Sequence, residues 1–311
     1  MNVSQAISTA CDQVGIVVPK HTGRLGSWMK TDALQGGKRG KGDGRVIVNE
    51  HHVTAWNWKT GEKHTVPLKD GEYTPAERKE IAQRIAEDEK KRKRKAHEAA
   101  ATADALLKAA KPAQHAYLIN KGFPHERAFV IDANTVRGVV GKYSDYLVPE
   151  GGEKAILIPA KQPGNHVSSV QLIWEDGTKK FLANGEMENA AFRLATGEFI
   201  WFCEGYATGL SLRAALKGLH RNDCVLCCFS AYNVKVVAKS LQRKRRAIVT
   251  DNDKPQPQFE GLGTGEWYAR QTGLPYLMPP LLGDDLNDLH RREGIFAVQR
   301  LLSNFVREAV L

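Results

Sequence analysis

The sequence predicts an α/β protein: an open parallel sheet with flanking helices, preceded by a mixed α+β subdomain and a small β-rich N-terminal module. Two patterns carry this reading. From Glu198 onward, short apolar runs alternate with longer amphipathic stretches, as in consecutive βα units. Three of these runs also end on carboxylates. They are Trp201-Phe202-Cys203-Glu204-Gly205, Ala247-Ile248-Val249-Thr250-Asp251-Asn252-Asp253, and Pro275 to Leu281 followed by Gly283-Asp284-Asp285-Leu286-Asn287-Asp288. An apolar run that stops at an acid reads as a buried strand delivering that acid to the end of a sheet, where open α/β sheets bind ligands.

The chain has 311 residues, enough for two or three modules, and 42% of them are hydrophobic, enough for real cores. A net charge of +10 and a pI near 9.3 favour a polyanionic partner, nucleic acid or an acidic surface. No run approaches the roughly 18 apolar residues of a membrane span, and no stretch resembles a secretory signal. The expectation is therefore a cytoplasmic protein without a membrane partner. Of the five cysteines, Cys224 and Cys227 have CxxC spacing just after His220. They sit among Val225, Leu226 and Phe229 without a second pair, so they read as small buried strand residues and no zinc is expected.

Four segments are expected along the chain. Residues 1–73 form the small basic β-rich module, irregular at first and rich in glycine. Gly36 to Gly44 is a flexible loop, Arg45 to Trp58 alternates like strands, and Lys59-Thr60-Gly61-Glu62 is a turn. Lys38, Arg39 and Trp58 are candidates for nucleic-acid contact here. Trp56 and Trp58, with Lys59 nearby, either stack bases or form a small core.

Residues 74–111 form a charged helical linker. Thr74-Pro75-Ala76-Glu77 has the form of a helix start, and Lys111-Pro112 ends the helix. Its six consecutive basic residues, Lys90 to Lys95, are either a solvated connector or a track for phosphates.

Residues 112–197 form the α+β subdomain. Strands are expected at Ala155 to Pro159 and Val167 to Trp174, with Glu175-Asp176-Gly177-Thr178 turning the chain into Lys179-Lys180-Phe181-Leu182. Residues 198–311 form the parallel-sheet domain. Strands 199–203, 224–229, 246–250 and 275–278 each precede a helix, at about 207–218, 233–242, 264–271 and 293–307.

Clustered carboxylates repel one another unless a hard cation sits among them, and Mg²⁺ prefers oxygen ligands with phosphates as its remaining partners. The two acids of Asp251-Asn252-Asp253 point the same way from an extended turn and can share one ion. Glu204, beside a helix start, can bind metal or take a proton from an attacking hydroxyl. Asp284, Asp285 and Asp288 complete the set, though a helix cap alone would use one of them. Asn233, at a strand-to-helix turn, either touches a phosphate or the acidic loop, or caps its helix.

The order Glu204-Gly205, then Asp251-Asn252-Asp253, then Gly283 to Asp288 resembles the Toprim domain of bacterial-type primases, topoisomerases and certain nucleases, over about 198–305. Ile156 to Pro159, Val170 to Ile173 and Asp176 to Leu182 are similar to the β-rich subdomain that precedes Toprim in primases. His115 to Gly122 and Asn57 to Gly61 resemble segments of phage and plasmid primases.

The resemblance implies a DNA primase-like nucleotidyltransferase of the DNA-directed RNA polymerase type. Such an enzyme makes short primers on single-stranded DNA from nucleoside triphosphates during phage or plasmid replication in the bacterial cytoplasm. Asp251 and Asp253, joined by Asp285 and Asp288, would bind Mg²⁺ or Mn²⁺, with Glu204 as ligand or general base. Lys179 and Lys180 would hold template or nucleotide phosphates.

Two departures from the family pattern stand out. The cysteines of an N-terminal zinc ribbon are missing, and so is a P-loop, so a replicative helicase would be a separate protein. A Toprim nuclease would direct the same acids at water. A topoisomerase would need a strand-cleaving tyrosine, and Tyr206 reads as a packing residue. A non-catalytic single-stranded-DNA-binding factor would not need the acids.

Overall fold

The computed structural model describes residues 3–21, 25–34, 42–68, 75–241 and 245–308. Lys38 and Arg39 therefore lie outside the described residues. The chain divides into two compact units, Met1–Ala86 and Glu87–Leu311.

The first unit is a helix on a sheet. Helix α1 (Val3–Val14) buries Ala6, Ile7, Ala10, Cys11 and Val14, which recur every three or four residues and so share one face. The expectation of an irregular start is corrected here: the small apolar residues carry a helical period. Strands β1 (Trp28–Thr31), β2 (Gly44–Val48), β3 (His52–Asn57) and β4 (Lys63–Pro67) form an antiparallel sheet in sequence order. Val46, Val48, Val53, Ala55 and Val66 point from it toward α1 and make one core with it. Asn57, buried, ties the two layers by donating from Nδ2 to Val14 O at 2.9 Å.

Helix α2 (Pro75–Ala109) runs for 35 residues. Lys90 to Lys95 are exposed, with Lys93 paired to Glu89 and Arg94 to Glu98 on the helix surface, a solvated face. Within the second unit, Ala103 and Leu106 near the end of α2, and Ala110 just past it, make a core with that unit's first sheet.

That sheet is antiparallel in the order β5 (Lys111–Ala113), β6 (Ala128–Asp132), β7 (Lys154–Lys161), β8 (Val167–Trp174), β9 (Lys179–Phe181). Helices α3 (Ala116–Asn120), α4 (Ala133–Val140) and α5 (Ser144–Leu147) fill its connections. β7 and β8 are covered on both faces, and the strand period sorts their residues. Ala155, Leu157, Val170, Leu172 and Trp174 face the core with α2, whereas Ile156, Ile158 and Ile173 face the following domain.

The second sheet has the order β10 (Phe192–Ala195), β12 (Cys224–Cys227), β11 (Ile200–Cys203), β13 (Arg246–Val249), β14 (Tyr276–Leu277). β11 to β14 are parallel and β10 is an antiparallel edge. Side chains alternate between two cores. Trp201, Cys203, Val225, Cys227, Ala247 and Val249 meet α6 (Tyr206–Gly218), α9 (Leu286–Glu293) and α10 (Ile295–Glu308). Phe202, Cys224, Leu226 and Ile248 meet α7 (Ala231–Ser240) and α8 (Thr264–Arg270). The cysteines of the CxxC pattern are thus buried strand residues facing opposite sides.

Two expectations change in detail. The strand expected at 224–229 stops at Cys227 because Phe229 turns into the left-handed region, φ 71°. The final helix expected at about 293–307 is α10, and a further helix, α9, precedes it, the two separated at Gly294 (φ 82°).

Candidate active site

β11 and β13 are neighbours, yet their connections leave in opposite directions. β11 leads through α6 to β12, on one side, and β13 leads through α8 to β14, on the other. Loops that diverge this way open a crevice at the strand ends, the topological switch point where such sheets bind ligands. Cys203 pairs with Val249 in register, so Glu204 and the Thr250-Asp251 turn emerge side by side at that crevice.

Glu204 is half-buried, and its backbone carbonyl accepts from Phe229 N at 2.8 Å. Burial, then the Asp253 charge, push its pKa up to about 7 against the opposing pull of Lys179. Asp251 is held well above the ordinary carboxylate range by burial first, then by Glu204, Asp285 and Asp253, with Lys179 again opposing. Its Oδ1 is buried without a hydrogen-bond partner. Four carboxylates and one lysine therefore sit within each other's fields.

Lys179 comes from β9, in the preceding sheet. The hairpin that carries it is fixed by Phe181, which packs edge-on against Phe229 beyond β12 at 6.0 Å between centroids. Lys180 points elsewhere, its Nζ lying 4.8 Å from the centroid of the Tyr146 ring.

The acidic loops are locked together by backbone and amide groups. Asn252, between the two aspartates, donates from its backbone to Asp284 O at 2.9 Å and from Nδ2 to Pro279 O at 2.9 Å, and its own carbonyl accepts from Gly283 N at 2.6 Å. Asp253 Oδ2 accepts from Gly265 N at 3.0 Å, so the start of α8 rests on the Asp251–Asp253 turn. A side chain at Gly265 would overlap Thr250 Oγ1 and crowd the Asp251 carbonyl.

Asp285 is the N-cap of α9. Its Oδ1 accepts from Asp288 N at 2.8 Å, and Asp288 Oδ2 accepts from Asp285 N at 3.1 Å, a closed capping box. Burial raises the Asp285 pKa, the Asp288 N–H bond lowers it, and the Asp288 charge raises it again. Asp284 is paired with Arg292 at 2.6 Å, turned to the helix rather than the crevice acids. Buried Asn287 ties the start of α9 to Lys121 O and Ser211 Oγ, at 2.8 and 3.0 Å.

Asn233 is buried, its amide committed to the fold. Nδ2 donates to Ala190 O and Cys228 O, and Oδ1 accepts from Asn189 N, at 2.7–2.8 Å. The N-cap of α7 is Ser230 instead. Tyr206 is buried against Phe192. Trp58, in the first unit, is 51% exposed.

The structure thus brings Glu204, Asp251, Asp253, Asp285 and Lys179 together. Asn252, Gly265 and Asn287 were not singled out from the sequence, since an amide within an acidic motif and a glycine opening a helix look ordinary until their contacts are known.

The donor set is all oxygen, the class that Mg²⁺ and Mn²⁺ take. Among the described residues no three His, Cys, Asp or Glu side chains converge closely enough to hold an ion by themselves. Mg²⁺ does not require that: it commonly keeps several waters and binds through one or two carboxylates plus substrate phosphates. An unpartnered buried carboxylate oxygen at Asp251, amid mutually repelling acids, fits that mode of binding.

Residues 200–295 match the family model of the Toprim domain. The parallel sheet with its flanking helices is thus a Toprim domain, as the acidic motifs imply. No curated protein matches the sequence. Among solved structures, the DnaG catalytic core is similar at 15% identity and a TM-score of 0.36, over 63% of this chain and 65% of that one. The primase fragment of the bacteriophage T7 primase-helicase protein is similar at 14% and 0.37, over 50% of this chain and 65% of that one. The Aquifex aeolicus primase, zinc-binding and RNA polymerase domains, gives 14% and 0.36, over 96% and 82%. The chain thus spans 65% of the first two. Likeness at these scores carries no weight for activity. No helix among the described residues is long and apolar enough to cross a membrane.

Proposed function

We propose that this chain is a metal-dependent nucleotidyltransferase that synthesises short primers on single-stranded DNA, a DNA primase of phage or plasmid type. In this reading residues 198–311 carry the chemistry, residues 112–197 supply the neighbouring basic wall, and residues 74–111 link them to the module at 1–73. The observation that carries it is the approach of Lys179, from the antiparallel sheet, to the Toprim acids Glu204 and Asp251. A cation placed beside clustered carboxylates suits a substrate that is itself a polyanion.

Asp251, with Glu204 or Asp253 beside it, would hold Mg²⁺ or Mn²⁺ together with waters and substrate phosphates; the ion when bound supplies charge neutralisation for the nucleotide phosphates. The residues themselves have separable roles. Glu204, with its pKa near 7, is suited to take a proton from an attacking hydroxyl at neutral pH. Lys179 attracts a phosphate, and Lys180, held against Tyr146, gives the same strand a second basic group. Asn252 keeps the two acidic loops in register. Asp285 adds charge to the crevice while Asp288 completes its cap.

The test is primer synthesis on single-stranded DNA with labelled ribo- and deoxynucleotides and Mg²⁺ or Mn²⁺, wild type beside Asp251→Ala. Short products from wild type alone support the reading. Template degradation lost in the same variant would replace it with a Toprim nuclease. Salt-sensitive strand binding without either activity would leave a binding factor.

A further inference from the structure

The outer face of the first unit's sheet combines indole rings and cations. α1 covers the other face, and strand alternation turns Trp28, Lys30, Arg45, Trp56 and Lys63 away from it. The register lines up four of them in one row across the sheet: Lys30 opposite Arg45, Arg45 opposite Trp56, Trp56 opposite Lys63. Trp58 continues the outward parity just past β3, and its backbone N–H donates to Asp43 O at 2.8 Å.

The three indoles form a chain. Trp28 and Trp56 centroids are 6.1 Å apart and Trp56 and Trp58 are 5.3 Å apart, each pair inclined at about 60°. The Arg45 guanidinium lies 4.0 Å over Trp58 and Lys63 Nζ 4.3 Å over Trp56. Trp28 and Trp58 stay about half exposed, at 48% and 51%. Trp56 Nε1 has no acceptor in the fold. None of the four strands contains an aspartate or glutamate. Large indoles left in water on a sheet face, with cations among them, are not what a free surface needs.

We infer that this face is a binding platform for single-stranded DNA, with bases stacked on Trp28 and Trp58 and phosphates drawn to Lys30, Arg45 and Lys63. Charge complementarity selects a polyanion, and the exposed ring faces select one whose bases are unpaired, because a duplex hides its base faces. The inference rests on the proposed primase function only for the identity of the strand as template.

The experiment is binding of the full chain to fluorescein-labelled oligo-dT by anisotropy across salt concentrations, with tryptophan quenching read in parallel and no nucleotides present. Trp58→Ala is expected to weaken binding about tenfold and to reduce the quenching, with thermal stability unchanged. Lys63→Glu is expected to weaken binding and to flatten the salt dependence by about 0.7 in log–log slope. Unchanged oligonucleotide affinity in both variants overturns the platform and points to an acidic protein partner. Equal competition by duplex DNA of the same length overturns it too, since charge alone would then suffice. Asp251→Ala, run beside them, separates the two proposals. If, in a parallel assay with nucleotides and Mg²⁺, it still makes primers, the assignment of chemistry to the acids fails while the binding result stands.

Discussion

Of the three sheets among the described residues, the first and the last meet water in opposite ways. The antiparallel sheet β1–β4 has one face on α1 and leaves the other open, carrying Trp28, Arg45, Trp56 and Lys63. The parallel strands β11–β14 have helices on both faces, so the sheet reaches solvent chiefly at the strand ends, where Glu204 and Asp251 stand. The difference follows from connectivity. Hairpins join antiparallel strands without covering a face, whereas each parallel crossover lays a helix across one. A half-covered sheet can bind along its surface and tolerate change there. A doubly covered sheet concentrates its chemistry in a crevice, where burial and like charges shift every acid and small changes are felt.

The largest expected effect is at the crevice. Asp251→Ala should lower metal-dependent primer synthesis by a factor on the order of a thousand, about 4 kcal/mol of barrier, with the fold intact by circular dichroism. A variant with near-normal activity would show that the buried, unpartnered Oδ1 is not where the chemistry is centred.

Next comes Gly265→Val. Its side chain would overlap Thr250 and crowd Asp251, so we expect a loss of about 1–3 kcal/mol by urea unfolding together with reduced activity. A stable, active variant would mean that the start of α8 can shift without disturbing the aspartates.

The third prediction concerns pH. The Glu204 pKa is raised from 4.5 to about 7, so the folded chain keeps a proton that the unfolded chain has released in that window. Stability therefore falls as pH rises from 4.5 toward 7 and levels off above it. Glu204→Gln should unfold later than wild type at pH 8 in EDTA, by about 2 kcal/mol, and show no such advantage at pH 4. Added Mg²⁺ should raise the melting temperature of wild type more than that of the variant. Parallel pH curves for the two proteins would remove Glu204 from the cluster of interacting acids.

The smallest expected effect tests the open face. Trp58→Ala should change unfolding free energy by no more than about 0.5 kcal/mol, since the ring is half in water. A drop of several kcal/mol in urea unfolding would make Trp58 a core residue and bring the two sheets closer in kind than their burial suggests.

Much of the second unit is legible residue by residue. The strands at Val167 to Trp174 and Ile200 to Cys203 are apolar runs of strand length bounded by turns, and the acids at their neighbours' ends are visible as interruptions. The α1 helix is harder to read because alanine and cysteine make a faint apolar stripe, and α9 hides behind the acids that cap it. Asp285 and Asp288 show how one residue type serves two ends. Their spacing fits both ligands and a capping box, and only the position of the Asp285 and Asp288 backbone N–H groups reveals the cap.

The sequence by itself determined the local periods: where strands alternate, where βα units begin, and that carboxylates stand at three strand ends. It also determined the polyanion-seeking charge. Only the tertiary structure decided that Lys179 arrives from another sheet, that Asn252 fastens one acidic loop to the next, that Asn233 turns inward to Ala190 and Cys228, and that Trp28 joins Trp56. The physical reason is that periodicity records how neighbours along the chain share a face, while charges, amides and rings find partners far away in sequence only once the cores have packed.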